Sequence, residues 1–550
     1  MNTQNASKTA EIDLSKMDIE ELSQALISAY EKSVPLIHKY LENHNPQKLS
    51  AKSFDPYNLR ESFFEYWNFL YKNPHTFIRT QLEFWTKWTE LCEESTKKMF
   101  GADGKTLYHP SKGDRRWKDE SWQENALFDF IKQSYLLTSE WVHETIEDAE
   151  NLDEDEKKKL DFHTKQFLDA LAPSNFALTN PQVLKETLES GGENLVKGMQ
   201  NLINDFERGQ GELKISMTDY NAFEVGKNLA TTEGSVVFEN KMLQLIQYKA
   251  TTKECYKTPL LIITPWINKY YILDMREDNS FIKWLVDQGH TVFVTSWVNP
   301  DKSYAKIDFE DYMSDGLLEA LRVVEEITGE KQTNLIGYCI GGTLLSCALS
   351  YLTSKKEDKR VKSATFLTTL LDFQKSGDLK ILIDDVQIKS IDEQMAEKGY
   401  LDASALMQTF AMLRANDLIW SFVINNYLLG KDIFPFDLLY WNSDPTNLPR
   451  AMHKFYLENM YHYNKLAQKN GIKLKDTSID LGQIKTPTYF LSTREDHIAP
   501  WEATYEGINL LKNSDSKFTL AASGHIAGVV NPPKAKKYSH WTSDQKPKIS

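Results

Sequence analysis

The decapeptide N-L-I-G-Y-C-I-G-G-T, Asn334–Thr343, decides the fold. Its first half has the apolar character of a buried strand, and its second half opens a helical pattern. Between them, Gly337-Tyr338-Cys339-Ile340-Gly341 follows the pattern G-x-S-x-G of a nucleophile elbow, with cysteine in place of serine. Gly337 and Gly341 lack a Cβ, so a strained turn can close without a clash. The sulfur then stands at a helix N-terminus, where the dipole favours thiolate over thiol. The backbone N–H of Ile340 points into the site as one oxyanion donor. A lone G-x-C-x-G is also compatible with a structural cysteine in a tight turn. Its position between a strand and a helix is what gives it weight.

The flanking sequence supplies the sheet that such an elbow needs. Leu260–Thr264, Thr291–Trp297, Asn334–Tyr338, Ser363–Leu367, Thr488–Ser492 and Lys517–Ala521 read as buried strands. They alternate with helical patterns, which implies a mostly parallel sheet with helices on both faces. One crossover helix shows its ends: Asp308 suits an N-cap, Met313, Leu317, Leu321 and Val324 keep helical spacing, and Gly329 stops it. The rhythm lapses between Asp372 and about Tyr463, an insertion that holds Arg414–Trp420 and Phe434–Trp441. An insertion here is expected to cap the carboxyl ends of the strands, where ligands bind. The alternative is a peripheral helical decoration.

The sheet predicts where the partners of Cys339 lie. In chain order nucleophile, acid, histidine, the acid follows a strand after the insertion, and the histidine follows the last strand. Thr486–Ser492 is succeeded by Thr493-Arg494-Glu495-Asp496-His497, and Lys517–Ala521 by Ser523-Gly524-His525. Cys339, Asp496 and His525 thus fit as nucleophile, orienter and base. His497 competes with His525 for the base and otherwise lines the pocket. Glu495 is the alternative orienter. No histidine spacing suggests a metal site. Cys347, within the following helix, reads as structural, and Cys92 and Cys255 have no motif around them.

Ahead of the sheet, Leu14 to about Arg208 is helical in pattern. Leu22, Leu26, Ile27 and Tyr30 share a face, as do Phe63, Trp67, Leu70 and Tyr71. The runs Phe63–Leu91 and Leu127–Val142 are dense in aromatics, and Asn43–Lys52 and Gly101–Gly113 break the helices. These rings are read as the core of a helical subdomain, with a grip on an apolar surface as the alternative. The character changes after Gly209–Gly211. The expected division is a helical N-terminal domain, residues 1–215, and an α/β domain, residues 216–550, with the cap at about 372–463.

Composition narrows the class. The 550 residues carry a formal net charge of −14, with 41% hydrophobic and 26% charged residues, as in an ordinary globular protein. An acidic surface repels phosphate backbones and speaks against nucleic-acid binding. Four cysteines without a CxxC pair exclude a disulfide framework and favour a reducing, cytoplasmic setting. Met1–Asp13 has no apolar segment of the signal-peptide kind, and no stretch is apolar enough to span a bilayer.

Several long segments resemble one family, the polyhydroxyalkanoate synthases. They are N-P-Q-V-L-K-E-T-L-E-S-G-G-E-N-L (Asn180–Leu195), T-P-W-I-N-K-Y-Y-I-L-D (Thr264–Asp274), G-H-T-V-F-V-T-S-W-V-N-P-D (Gly289–Asp301), G-Y-C-I-G-G-T (Gly337–Thr343), N-D-L-I-W (Asn416–Trp420), R-E-D-H-I-A-P-W (Arg494–Trp501) and S-G-H-I-A-G-V-V-N-P-P (Ser523–Pro533). Trp122–Trp141 resembles the family's helical N-terminal part. The resemblance implies an α/β-hydrolase fold with a mobile cap behind a helical N-terminal domain. It implies acyl transfer from (R)-3-hydroxyacyl-CoA, chiefly (R)-3-hydroxybutyryl-CoA, to a growing polyester, with CoA as leaving group and no cofactor. It places the catalytic residues on Cys339, Asp496 and His525 and a second oxyanion donor on the backbone around Trp266–Ile267, at Ile267. It puts a CoA-phosphate contact on Arg414, which also suits an exposed salt bridge, and a cap tryptophan on Trp441. It further implies a homodimer at the surface of cytoplasmic storage granules, with granule-associated proteins as possible partners. The mass of 63.6 kDa resembles synthases that act without a second type of subunit. Relatives run on through a tryptophan-containing tail beyond the position of Ser539-His540-Trp541. Two rival readings stay open: a hydrolase of the same fold, and a non-catalytic granule-binding protein.

Overall fold

Six short apolar segments and the glycines between them build the centre of the molecule. The structure is a computed structural model, and it describes residues 71, 74–150 and 152–543. The proposed faces at Leu22–Tyr30 and at Phe63, Trp67 and Leu70, and the break at Asn43–Lys52, lie outside the described residues. Tyr71 is exposed. The chain divides into two compact units. One holds the described residues up to Met217 together with Ala411–Phe434, and the other holds Thr218–Phe410 and the chain from Pro435 onward. The expected contiguous division at 215/216 therefore differs in two respects: the boundary falls after Met217, and the middle of the 372–463 insertion, Arg414 included, belongs with the helical unit.

In the helical unit, α1 (Pro74–Met99) packs on α2 (Ala126–Glu147), and α2 on α3 (Glu154–Ala170). The aromatics meet in this seam. Phe84 lies 5.0 Å from Trp141 and Trp88 lies 6.0 Å from Phe130, centroid to centroid. These are core contacts, as the periodicity suggests. Then follow α4 (Pro181–Glu189) and α5 (Glu193–Arg208). The reason Ala411–Phe434 joins this unit lies on α5. Asn194 and Asn201 donate side-chain hydrogen bonds to the carbonyls of Leu428 and Asn426, at 2.8 and 3.0 Å. Tyr427 donates to Asp205 at 2.6 Å. A side chain at Gly198 would run into the Tyr427 carbonyl, so glycine sets the closeness of the packing.

In the second unit nine strands form one sheet among the described residues, in the order β1-β2-β4-β3-β5-β6-β7-β8-β9. They are β1 (Gly234–Glu239), β2 (Leu243–Tyr248), β3 (Leu260–Ile263), β4 (Val292–Trp297), β5 (Thr333–Tyr338), β6 (Val361–Leu367), β7 (Thr488–Thr493), β8 (Ser516–Ala521) and β9 (His540–Thr542). From β4 to β8 every pairing is parallel. The hairpin β1–β2 and the strand β9 pair antiparallel at the two edges. The central strands are apolar throughout because helices cover them: α6 (Phe281–Asp287) packs on β4, α8 (Ile340–Ser354) on β3, β5 and β6, and α11 (Trp501–Ile508) on β7 and β8. Leu261, Ile262, Phe293, Val294, Phe366 and Phe490 are buried there, each contributing roughly 1.5–3 kcal/mol.

The crossover helix starts and stops where expected. Asp308 caps it, accepting from Glu310 N at 2.9 Å, and Gly329 ends it at φ 69° after α7 (Glu319–Thr328). Met313, Leu317, Leu321 and Val324 are all buried. Its middle, Tyr312–Leu318, is π-helical, and the wider turn brings Gly316 under Trp297, where a Cβ would stand 2.5 Å from the indole. Two further helices in this unit are α9 (Asp385–Lys398) and α10 (Arg450–Tyr456). Among the described residues no helix is long and apolar enough to cross a membrane.

Candidate active site

Cys339 sits between β5 and α8 with φ 52° and ψ −124°, a left-handed conformation that costs a non-glycine residue of order 1–3 kcal/mol. The surroundings enforce it. Cys339 N donates to the Leu367 carbonyl at 2.9 Å, and the Cys339 carbonyl accepts from Gly342 N at 2.9 Å and Thr343 N at 3.2 Å. Thr369 Oγ1 adds a bond to the same carbonyl at 3.3 Å. The glycines permit the closeness. A Cβ on Gly337 would stand 2.5 Å from Gly342 Cα, one on Gly341 would strike the Ile263 carbonyl, and one on Gly342 would strike Thr369 Oγ1. Sequence reasoning found the first two and passed over Gly342, whose signal was the Gly-Gly pair at the start of a helix.

β7 and β8 run parallel with Thr493 beside Ala521. The residues just past each strand are therefore neighbours, and Asp496 Oδ2 lies 2.7 Å from His525 Nδ1. The other carboxylate oxygen of Asp496 accepts from the amides of Ile498 and Ala499, both at 2.9 Å, which fixes its direction. Glu495 is exposed and bonds the Ser523 amide instead. His497 is half-buried, with its carbonyl over Gly377. His525 is buried, and burial pushes its pKa down. The Asp496 carboxylate, hydrogen-bonded to the ring, and the charge of the Cys339 sulfur push it up and prevail, so it stands well above the ordinary histidine value. Tyr338 lies along the ring, centroids 5.7 Å apart, and donates its hydroxyl to the His525 carbonyl at 3.1 Å.

The remaining candidates fall differently. The first N–H groups of α8, Ile340 among them, have no acceptor within the helix by its geometry. The loop that carries Ile267 is held by the segment after Trp441. Thr446 N donates to the Ile267 carbonyl at 2.9 Å, and Thr446 Oγ1 bonds the Trp266 carbonyl. Trp441 itself is buried, and its indole N–H donates to the Lys269 carbonyl at 2.7 Å. It packs in the apolar cluster that Cys339 touches. Its place is thus behind the Ile267 loop. Arg414 is exposed and forked onto Asp417 at 3.1 and 2.6 Å, in the helical unit. Sequence reasoning missed Tyr456 and Tyr461, both buried and both close enough to Cys339 for its charge to act on them, since neither belongs to a motif. Among the described residues no group of three or more histidine, cysteine or acidic side chains is arranged to hold a metal ion.

A strained cysteine between strand and helix, with a carboxylate–histidine pair on two later strand ends, defines a protein of the α/β-hydrolase fold with cysteine at the elbow. Known proteins agree with this and go further. Residues 273–532 match the family described as alpha/beta hydrolase fold, and residues 113–285 match the poly-beta-hydroxybutyrate polymerase (PhaC) N-terminus. The chain is 45% identical over 478 residues to the poly(3-hydroxyalkanoate) polymerase subunit PhaC of Rhizobium meliloti, covering 87% of this chain and 77% of that protein. It is 47% identical over 472 residues to the poly(3-hydroxyalkanoate) polymerase of Methylorubrum extorquens, covering 86% and 78%. It is 42% identical over 451 residues to the subunit PhaC of Cupriavidus necator, covering 81% and 75%. The chain belongs to the poly(3-hydroxyalkanoate) polymerase family and is accordingly an enzyme of the α/β-hydrolase fold.

Proposed function

We propose that this enzyme polymerises (R)-3-hydroxyacyl groups, chiefly (R)-3-hydroxybutyryl, from their CoA thioesters into polyhydroxyalkanoate through a thioester on Cys339. The observation that carries the reading is the cysteine at the strained elbow together with the Asp496–His525 pair at the ends of two later strands, in a chain of this family. His525 takes the thiol proton, and the sulfur attacks the acyl carbon of the CoA thioester. The oxyanion of the tetrahedral intermediate is received by the backbone N–H groups of Ile340 and Ile267. Collapse expels the CoA thiolate, which recovers the proton from His525. One thioester is exchanged for another, so the step is near thermoneutral and the acyl group stays reactive.

A hydroxyl then attacks the Cys339 thioester and gives its proton to His525. The acyl group passes to oxygen, and the thiol is restored. Water in its place would yield free acid, which is the reason for a cap over the site. Asp496 holds the His525 tautomer and steadies the imidazolium. The acyl-CoA is a substrate, and the chemistry calls for no resident cofactor. The product is an insoluble polyester, so the enzyme works at a granule surface, as a homodimer and in the company of granule proteins.

The test is CoA release from (R)-3-hydroxybutyryl-CoA by the purified protein and by Cys339→Ala. Release with growing turbidity, absent in the variant, is expected. Release of soluble hydroxyacid alone would make it a hydrolase, and polymer formation by Cys339→Ala would refute the role of the cysteine.

A further inference from the structure

The elbow carries more than the nucleophile. Tyr338, the last residue of β5, stands one position before Cys339 and is buried. Like Ile336, two residues earlier on the same face of the strand, it lies in the apolar cluster that Cys339 touches. From there it reaches His525 in two ways. The phenol ring stacks on the imidazole, with centroids 5.7 Å apart and an angle of 22° between the planes. The hydroxyl donates to the His525 carbonyl at 3.1 Å. Burial pushes the phenol well above its ordinary pKa, so it stays a donor.

Each contact closes a freedom that Asp496 leaves open. Asp496 Oδ2 holds Nδ1 at 2.7 Å, and a single hydrogen bond leaves the imidazole free to tilt about it. The torsion that turns a histidine ring is broad, so rotamer preference does not stop the tilt either. A second ring lying along one face does. On the main chain, the carbonyls of Gly524 and Ile526 accept from the amides of Gly528 and Val530, at 2.9 and 3.0 Å. The His525 carbonyl between them is taken by the hydroxyl from β5. The charged groups that act on the imidazole are Asp496 and Cys339. To these Tyr338 adds an aromatic face, which favours a cation within about 6 Å of the ring.

We propose that Tyr338 is a positioning residue for the base: its ring sets the plane of the His525 imidazole and steadies the imidazolium, and its hydroxyl ties the histidine loop to the elbow. The nucleophile and the support of its base thus sit on consecutive residues, and a shift of the turn carries both. No covalent bond changes at Tyr338. Its effect on turnover rests on the acyl-transfer reading of Cys339.

The experiment is the pH dependence of Cys339 alkylation by iodoacetamide in the wild type, Y338F and Y338M, read by mass spectrometry of the Cys339 peptide. Single-turnover CoA release from (R)-3-hydroxybutyryl-CoA is measured beside it, with C339A as control. A less stable imidazolium makes the thiolate beside it harder to form, so the acid limb of alkylation moves to higher pH. In Y338M, which fills the space without a ring, the limb is expected to rise by about half a pH unit, the scale of one cation–π contact. CoA release is expected to fall about tenfold or more, as misplaced catalytic groups cause. Y338F keeps the ring and loses the tether. Its limb is expected at the wild-type pH, with CoA release lower by up to about tenfold, the scale of one lost hydrogen bond. A limb that moves in Y338F overturns the proposal, whether or not Y338M folds. An unmoved limb in a Y338M that is folded by circular dichroism also overturns it and leaves Tyr338 a structural ring. CoA release by C339A overturns the acyl-transfer reading, while the alkylation limb, which needs no substrate, still decides the role of Tyr338.

Discussion

Asp496 Oδ2 lies 2.7 Å from His525 Nδ1, while the carboxylate next to it in sequence, Glu495, is spent on the Ser523 amide. Asp496→Asn keeps the shape and removes the charge that raises His525. Acylation by (R)-3-hydroxybutyryl-CoA is expected to fall by up to ~10⁴-fold, the scale seen when a triad aspartate becomes an amide. Glu495→Gln is expected to leave the rate unchanged. Stopped-flow CoA release on the two variants separates them, and equal losses would mean that Asp496 does not orient the base.

Gly342 tests the elbow's geometry without touching its chemistry. A Cβ there strikes Thr369, so Gly342→Ala is expected to cost about 1–3 kcal/mol of stability by overpacking. Thr369→Ala removes the two side-chain atoms nearest to that Cβ. The double variant is therefore expected to be more stable than the sum of the two single changes predicts. Urea unfolding of the three variants gives the interaction energy, and strict additivity would place the strain elsewhere.

His453, on α10, is buried, and among the described residues its Nδ1 has no hydrogen-bond partner. Burial pushes its pKa from 6.5 to about 4. The unfolded chain thus binds a proton that the folded one refuses between those values. The stability from this group is fully present above 6.5 and is lost as pH falls towards about 4, amounting to about 3 kcal/mol. Denaturation of wild type and His453→Leu at pH 7 and 4.5 checks the sign. The variant is expected to lose less on acidification, and parallel losses would contradict the burial argument.

Tyr427 donates to the buried Asp205 at 2.6 Å, and Asp205 also accepts from Ser216 N at 2.8 Å. Tyr427→Phe is expected to cost about 1.5–3 kcal/mol, the value of one hydrogen bond to a charged group. Because that bond fastens Ala411–Phe434, limited proteolysis of the variant is expected to begin within this segment. Cleavage first at the β1–β2 turn would count against it.

The six central strands were legible because a parallel sheet buried on both faces writes itself as short apolar runs. The structure moves their ends by a residue or two, from Ser363 back to Val361, for example. The edge hairpin was passed over: L-Q-L-I-Q-Y of β2 alternates only in part, and β1 is exposed along most of its length. At the site, Asp496 and His525 could be placed beforehand because strand ends in parallel register bring their loops together. Trp441 and Arg414 could not be placed by spacing. One is behind a loop and the other is in an ion pair with a residue of its own turn. Nothing in Asn194, Gly198, Asn201 and Asp205 announces a partner as distant in sequence as Tyr427, since helical periodicity reports that a face is buried and never by what.

That distant partner has a consequence for the order in which the molecule is made. The helical unit ends at Met217 but lacks Ala411–Phe434 until the ribosome has reached Phe434. At ~5–20 residues per second, the interval is about 10–40 s. Through that time the row on α5 that receives Asn426, Tyr427 and Leu428 has none of those hydrogen bonds, so the first-born unit waits for a segment made nearly two hundred residues after its own first part ends.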